Sequence, residues 1–100
     1  MGSVVRIDLE NQYLYGSIPV SLTSLSQLTS LRLRKNRRLQ GRIPPELFSM
    51  PNLEVLDLED NTLTGTIPAD VNKATKLKNL VLTYNSLRGT IPDLSRLTVS

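Results

Sequence analysis

Leucine and other aliphatic residues recur in a short unit whose apolar positions are separated first by two residues and then by one. Alternation at a spacing of two turns one face of a short strand inward and the other toward solvent. The pattern therefore predicts four short strands, each with an aliphatic inner face. The four units are Val4-x-x-Ile7-x-Leu9, Leu28-x-x-Leu31-x-Leu33, Leu53-x-x-Leu56-x-Leu58 and Leu77-x-x-Leu80-x-Leu82.

A second set of markers follows each predicted strand with the same period. The dipeptide Ile-Pro recurs at steps of 25, 24 and 24 residues, and a glycine lies two residues before each isoleucine. Apolar pairs at helical or 3₁₀ spacing then return the chain to the next strand. The period predicts four coils that each contain a strand, a turn and a helical return. The four dipeptides are Ile18-Pro19, Ile43-Pro44, Ile67-Pro68 and Ile91-Pro92.

An amide side chain follows each predicted strand at a fixed distance. Asn36, Asn61 and Asn85 take this position in three coils, and Gln12 takes it in the first. A side-chain amide donates and accepts hydrogen bonds, so it can satisfy the backbone of its own turn and of the next coil. We expect these four residues to form a structural ladder, with a looser turn at Gln12.

A coil of about 24 residues cannot bury its apolar side alone, so the coils must stack into a solenoid. We expect an α/β solenoid with a parallel concave sheet of four short strands and a convex side of 3₁₀ and irregular segments. A single domain would span residues 4–100 in four repeats, 4–27, 28–52, 53–76 and 77–100, after residues 1–3 that look like a cloning remnant. Because no polar cap flanks the repeats, the ends look cut, and their exposed coils predict self-association.

Two segments carry the complete repeat, Leu53–Pro68 (LEVLDLEDNTLTGTIP) and Leu77–Pro92 (LKNLVLTYNSLRGTIP). They resemble the plant-type leucine-rich repeat, LxxLxLxxNxLxGxIPxxLxxLxx, and the resemblance extends from Val4 to Leu97. This class is similar to the ectodomains of plant receptor-like kinases and receptor-like proteins and to polygalacturonase-inhibiting proteins. The resemblance implies a horseshoe segment with a second strand near Gly-x-Ile-Pro, recognition rather than catalysis, and an extracellular or cell-surface location.

The repeats depart from this pattern in two places. The second copy has an extra residue in Asn36-Arg37-Arg38-Leu39, which should bulge its turn and push one arginine outward. The fourth copy is one residue short between Ile91 and Leu94. The flanking cysteine pairs of such ectodomains, a glycosylation sequon, a signal peptide and a long apolar run are all missing from the sequence.

Composition removes most catalytic and metal chemistry. The chain has 0 cysteine and 0 histidine, so the usual zinc, disulfide and thiol sites and the commonest general base are lacking. The carboxylate pairs Asp8/Asp57 and Glu10/Glu59 would each be split by an arginine and face water, whereas a general acid needs burial. We expect no enzyme activity, no cofactor and no metal.

The outward positions of the predicted strands stack into columns on the concave face. Arg32 falls between two aspartates of adjacent coils and Arg34 between two glutamates, at about 4.8 Å per strand. Such ladders can satisfy themselves and fix the coil register, or they can form a charged strip that recognises a peptide or protein. The residues expected to contact a partner on this face are Arg6, Asp8, Glu10, Arg32, Arg34, Lys35, Asp57, Glu59, Asp60, Asn79, Val81, Thr83 and Tyr84.

Two smaller features add candidate contacts. Tyr84 lies at the least charged corner of this face and is a candidate aromatic anchor. The basic cluster at the rim suggests a cell-wall polyanion or an acidic protein loop, with a solvated turn as the alternative. Nucleic acid is disfavoured, because the net charge is only +3 and no aromatic residue interleaves the basic ones. The basic residues are Lys35, Arg37, Arg38 and Arg42.

Taken together, these patterns predict a protein- or peptide-recognition module. It would be a fragment of a plant receptor-like kinase or receptor-like protein ectodomain that binds its partner on the concave face. Two alternatives stay open: a secreted defence protein similar to polygalacturonase inhibitors, and an engineered or structural repeat scaffold.

Overall fold

The computed structural model describes residues 5–95 and 97–100. The expected remnant at residues 1–3 lies outside the described residues. Within these residues there are nine short strands and three 3₁₀ helices, and each helix follows a pair of strands. The strands are β1 Arg6–Asp8, β2 Tyr15–Gly16, β3 Ser30–Arg32, β4 Arg38–Arg42, β5 Val55–Asp57, β6 Thr62–Gly65, β7 Asn79–Val81, β8 Ser86–Leu87 and β9 Thr98–Val99.

The odd-numbered strands form the parallel concave sheet, in the order β1-β3-β5-β7-β9. Its register keeps equivalent positions of the repeat side by side, since Ile7 pairs with Leu31, Leu31 with Leu56, and Leu56 with Leu80. This is the register that the leucine pattern requires, because a slip by one residue would turn every leucine toward solvent. The expected solenoid is therefore confirmed.

The concave sheet contains one strand more than the four expected. β9 pairs with β7 through Asn79 and Leu80, which lie opposite Thr98 and Val99. The chain after Leu97 thus already follows the course of a further coil. The period of Ile-Pro gave no sign of this strand, because Thr98 follows its partner Asn79 by only 19 residues, whereas the other neighbouring strands of this sheet are 24 or 25 residues apart.

The even-numbered strands form a second parallel sheet, in the order β2-β4-β6-β8. Tyr15 lies opposite Arg38, and Gln40 lies opposite Thr62. These strands precede or include the glycine of each Gly-x-Ile-Pro segment, close to where the resemblance implies a second strand. The extra residue of the second repeat coincides with the longest of them, β4.

Three 3₁₀ helices return the chain on the side away from the concave sheet: Val20–Ser24, Pro45–Ser49 and Ala69–Lys73. Each follows the proline of an Ile-Pro dipeptide, which fits because proline tolerates the start of a helix but cannot continue one. Adjacent returns stack on one another along the solenoid. The expected 3₁₀ character of this side is confirmed.

The core is a continuous column of aliphatic side chains between the two sheets and the returns. Leu31, Leu56 and Leu80 of the concave sheet are fully buried, and Leu63 of the second sheet packs in the same cluster. Phe48 is also fully buried and fills the second return. This column holds both sheets in place, so the outward side chains of each sheet project from a rigid support.

Candidate protein-binding surface

The concave face carries the charged columns that the sequence predicts. The ion pairs of Arg32 and Arg34 within them, however, differ from the expected ones. Arg34 lies against three carboxylates: its Nη1 is 3.5 Å from Oε1 of Glu10, its Nε is 3.3 Å from Oδ2 of Asp57, and its Nη2 is 3.7 Å from Oε1 of Glu59. The guanidinium therefore joins the first three coils. The expected contacts of Arg34 with both glutamates occur, with Asp57 added.

The strand register places Arg32 between two aspartates, as expected, but the ion pairs expected from this placement do not form. Arg32 is in register with Asp8 and Asp57 on the neighbouring strands. Among the described residues, however, its guanidinium forms no ion pair, because Asp57 turns toward Arg34. A long side chain can reach diagonally along a strand, and Arg34 presents its flat donor edge to three acids at once.

Asp57 is also more buried than an outward strand position should be. The residue is only 5% exposed, and its Oδ1 accepts a hydrogen bond of 3.1 Å from the backbone N–H of Glu59. Its Oδ2 is within ion-pair distance of Arg34 Nε, although the two atoms do not form a hydrogen bond. Asp57 thus supports its neighbours and offers a partner little surface.

A shallow hollow of about 290 Å³ lies over the first three strands of the concave sheet. Arg6 and Arg32 line it together with Asp8, Ser30 and Glu54. Both signs of charge meet there, and Arg32 is the cation in it that lies in register with two aspartates. The hollow therefore presents charged and polar groups on the concave face.

At the rim, the side chain of Arg37 is held in place by Asp60. Its Nε and Nη2 donate hydrogen bonds to Oδ1 and Oδ2 of Asp60, at 3.3 and 3.1 Å. These hydrogen bonds, with the nearby negative charge, raise the pKa of Arg37 above its usual value. Arg37 and Asp60 therefore form a closed two-pronged pair rather than two separate contacts.

Arg38 lies next to the rim turn, where the second sheet begins. It begins β4 of the second sheet and lies opposite Tyr15. Arg37 lies in the turn just before β4, and both arginines line one hollow beside the turns of the first two coils. Arg37 is paired with Asp60, whereas Arg38 forms no ion pair among the described residues.

The asparagines tie adjacent coils through buried hydrogen bonds. Oδ1 of Asn61 accepts from the backbone N–H of Asn36 at 2.9 Å, and its Nδ2 donates to the carbonyls of Leu33 and Leu58. Asn36 and Asn85 make corresponding bonds across their own coil boundaries. The concave strands are therefore fixed at the edge where the turns that follow them begin.

Gln12 does not act as a member of this ladder. Its Nε2 donates to the carbonyl of Glu10 within its own turn, and its backbone N–H donates to Oδ1 of Asn36. The ladder amide of the first boundary is therefore supplied by Asn36 of the next coil. The longer glutamine side chain stays on the surface, where it is exposed.

The residue before each ladder position has a left-handed backbone. Lys35, Asp60 and Tyr84 have φ angles of 59°, 59° and 60°, and Asn11 has 53°. This conformation is unusual for residues other than glycine and asparagine, so the turn geometry imposes it. Nothing in the identity of Lys35 or Tyr84 signals it, which is why the sequence did not predict it.

The least charged corner of the concave face lies on β7 and the turn that follows. Tyr84 is 78% exposed, Thr83 is exposed, and Val81 is half-buried. Asn79, the first residue of β7, is exposed beside them. The corner thus combines an aromatic ring with small and amide side chains on a backbone that the ladder holds in place.

The carboxylates of this face are arranged for charge pairing. Glu10, Asp57 and Glu59 share one guanidinium, and Asp60 is engaged by Arg37. Among residues 5–95 and 97–100, no group of histidine, cysteine or carboxylate side chains could hold a metal ion. In the same part of the chain, no helix is long and apolar enough to cross a membrane.

Comparison with known proteins gives the repeat its family. The family model described as leucine rich repeat matches residues 26–87. Phytosulfokine receptor 1 of Arabidopsis thaliana is 36% identical over 63 residues, which cover 63% of this chain and 6% of that receptor.

Solved structures give the same result over nearly the whole chain. The complex of BIR3 and SERK2 from Arabidopsis thaliana aligns with a TM-score of 0.85 and 41% identity, over 92% of this chain and 50% of that one. The ectodomain of the Arabidopsis thaliana receptor kinase GASSHO1/SCHENGEN3, solved with CASPARIAN STRIP INTEGRITY FACTOR 2, aligns with a TM-score of 0.88 and 33% identity, over 97% of this chain and 12% of that one. The chain therefore spans at most half the length of these relatives, and it belongs to the leucine-rich repeat family.

Proposed function

We propose that this chain is a peptide- or protein-recognition module of a plant receptor kinase or receptor-like protein ectodomain, and that it binds its partner on the concave face. The observation that carries the proposal is the exposed corner of Asn79, Val81, Thr83 and Tyr84 on a backbone fixed by the asparagine ladder. Its likeness to receptor kinase ectodomains, one of them solved with a second protein factor, supports the same use of the repeat.

The physical argument starts from preorganisation. A binding surface loses affinity when its side chains and backbone must be ordered on contact. β7 is hydrogen-bonded to its neighbours on both sides, and Asn85 donates to the carbonyls of Leu58 and Leu82. Tyr84 is therefore presented from a fixed turn, and exposed tyrosines in such settings are typical interface anchors.

The charged columns of the concave face determine which charges a partner should have next to its apolar contact. Four carboxylates, those of Asp8, Glu10, Asp57 and Glu59, share the central columns with two guanidinium groups, those of Arg32 and Arg34. The columns thus favour a partner with more positive than negative charge, although the whole chain has a net charge of +3. A segment with an apolar side chain followed by a basic one fits the corner and the columns together.

The proposal also implies where the protein acts, and it bears on the alternative function as a polygalacturonase inhibitor. A recognition module of this kind would act outside the cell or at its surface, as part of a longer protein. The relatives reported above are receptors, which supports this interpretation over that of a polygalacturonase inhibitor.

The proposal is tested by selecting peptides from a random display library on the 100-residue chain and measuring their binding to variants. Tyr84→Ala and Val81→Asp should each lower the affinity for the selected peptides by about tenfold, because each removes one apolar contact of the corner. Tyr15→Ala is the matched control, since Tyr15 is as exposed as Tyr84 but lies on the other sheet. Peptides that ignore both concave variants and respond to Tyr15→Ala would contradict the proposal.

A further inference from the structure

A second exposed surface lies on the outward side of the four-stranded sheet, and we call it the flank face. Side chains alternate along its strands, so that Leu39 and Leu63 are buried while their neighbours are exposed. The exposed positions hold tyrosine, arginine, glutamine, serine and threonine, and none holds a carboxylate. The residues that matter most here are Tyr15, Arg38, Gln40, Arg42, Thr64 and Arg88.

The basic residues of the flank face are free to bind an anion. Arg38, Arg42 and Arg88 form no ion pair with any carboxylate among the described residues. This contrasts with Arg34 and Arg37, whose charges are already met by acids. The excess positive charge of the chain is thus concentrated on the flank face, away from the acidic columns of the concave face.

Two of these arginines stand on the same strand at a defined spacing. β4 is the longest strand of the second sheet, and Arg38, Gln40 and Arg42 point outward from it in alternation. All three residues are exposed, so an amide side chain stands between the two arginines along the strand. A linear anion lying along β4 would meet charge, amide and charge in turn.

The side chain of Arg42 is held against the sheet. A Cβ atom placed on Gly65 of the neighbouring coil would lie 3.1 Å from Cγ of Arg42 and 3.4 Å from its Cδ. The stem of Arg42 therefore lies across the space that the glycine leaves open. A stem packed in this way loses less conformational freedom on binding than a free one.

A hollow of about 670 Å³ continues the flank face toward the turns of the first two coils. Lys35, Arg37 and Arg38 line it, together with Asn11 and Tyr13, and no carboxylate does. Tyr13 and Tyr15 are 83% and 81% exposed. The face thus ends in two aromatic rings beside basic groups.

From these contacts we propose that the flank face binds an acidic polysaccharide, a linear polymer of sugars that carry carboxylates. Guanidinium groups pair with carboxylates, while the amide and hydroxyl side chains of Gln40 and Thr64 suit sugar hydroxyls. Exposed aromatic rings such as Tyr15 can pack against the apolar face of a sugar. This binding is separate from partner recognition on the concave face and does not depend on it.

A protein partner or a nucleic acid fits the flank face less well. Protein interfaces are anchored by apolar side chains at their centre, and the centre of this face is occupied by arginine, glutamine and threonine. Single-stranded nucleic acid is held by aromatic rings spaced among basic residues, whereas Tyr13 and Tyr15 stand together at one end. A polymer with regular hydroxyl and carboxylate groups matches the whole face.

The test measures binding of the 100-residue chain to immobilised polygalacturonic acid. The triple variant Arg38→Gln, Arg42→Gln, Arg88→Gln should bind about tenfold more weakly or worse. The matched control is Lys73→Gln, Lys76→Gln, Lys78→Gln, which removes the same charge from other surfaces and should change binding by less than about twofold. Circular dichroism melting of both variants checks that they fold.

Two further measurements test whether the chain recognises the carboxylate charges of the polymer. Methyl-esterified polygalacturonate keeps the sugars but loses the charges, and it should bind far more weakly than the free acid. Added salt should weaken binding to the free acid. The proposal is overturned if the chain does not bind, if the lysine triple variant loses as much as the arginine one, or if polyglutamate of equal charge binds as well, since that would indicate an acidic protein.

Discussion

At the scale of the residue, Asn61 illustrates how one side chain joins two coils. Its amide accepts the backbone N–H of Asn36 and donates to the carbonyls of Leu33 and Leu58, all in the interior. A backbone N–H or C=O that is buried without a hydrogen bond destabilises the folded state, so each of these bonds contributes to stability. The residue is only 6% exposed, and water cannot readily replace it.

Asn61→Ala should therefore lower the free energy of unfolding by about 3 kcal/mol, since it leaves several buried backbone groups unpaired. Asn11→Ala should cost less, about 1 kcal/mol, because Asn11 is exposed and its side chain only eases a left-handed turn. Chemical denaturation of both variants measures the difference. Equal losses would show that the ladder position has been assigned wrongly.

Asp57 and Asp8 occupy the same column of the concave face but have different surroundings. Asp57 is buried against Arg34 and accepts from the N–H of Glu59, whereas Asp8 is exposed. Asp57→Ala should lower the free energy of unfolding by about 2 kcal/mol, because it leaves that N–H and Arg34 less well satisfied. Asp8→Ala should stay within about 0.5 kcal/mol of the parent chain. A larger loss from Asp8→Ala in the same denaturation series would contradict the diagonal ion pair.

At the scale of the element, the strands follow from the sequence more directly than the turns do. Each leucine must stay inside, and coils of nearly equal length allow a single register, so Leu31 opposite Leu56 could be predicted. The turns are less readable, since Lys35 and Tyr84 adopt a left-handed backbone that their chemistry does not favour. At these turns the stacking of the coils imposes a backbone conformation that the local sequence does not predict.

The glycines of the Gly-x-Ile-Pro segments share one backbone conformation but differ in what surrounds them. Gly16 and Gly89 have φ angles of 81° and 88°. A Cβ on Gly16 would meet nothing within 4 Å, whereas one on Gly89 would lie 2.7 Å from Cγ2 of Thr66. The two positions therefore separate backbone strain from crowding between coils.

Gly16→Ala should lower the free energy of unfolding by about 1 kcal/mol, from backbone strain alone. Gly89→Ala should cost about 1 kcal/mol more, because its new methyl group collides with Thr66. Adding Thr66→Ser to Gly89→Ala should recover most of the extra loss, since serine lacks that methyl group. Thermal melts of the three variants make the comparison, and equal losses for both glycines would argue against the close stacking.

At the scale of the whole molecule, charge is divided between two faces. The concave columns contain more carboxylates than guanidinium groups, while the arginines of the flank face form no ion pair within the part of the chain that the structure describes. The columns could be predicted from the repeat. The pairing of Arg37 with Asp60 and the place of Arg38 at the start of β4 could not, because both depend on the turn that contains the inserted residue.

The isolated chain exposes apolar side chains at both ends of the solenoid. Val5 and Leu9 are 46% and 39% exposed in the first coil, and Ile91 and Val99 are 73% and 41% exposed in the last. Coils of this kind bury such surfaces by stacking on a neighbour. The isolated chain should therefore form larger species as its concentration rises, which static light scattering measures. A monomer at all concentrations would contradict this prediction.

The central claim is that the concave face binds the partner. The most direct test is hydrogen exchange of the chain with and without a peptide selected from a display library. The account predicts slower exchange at β7 and its following turn, residues 79–84, and no change in the 3₁₀ helix Ala69–Lys73. Slower exchange confined to the 3₁₀ helices or to the second sheet, with residues 79–84 unchanged, would contradict it.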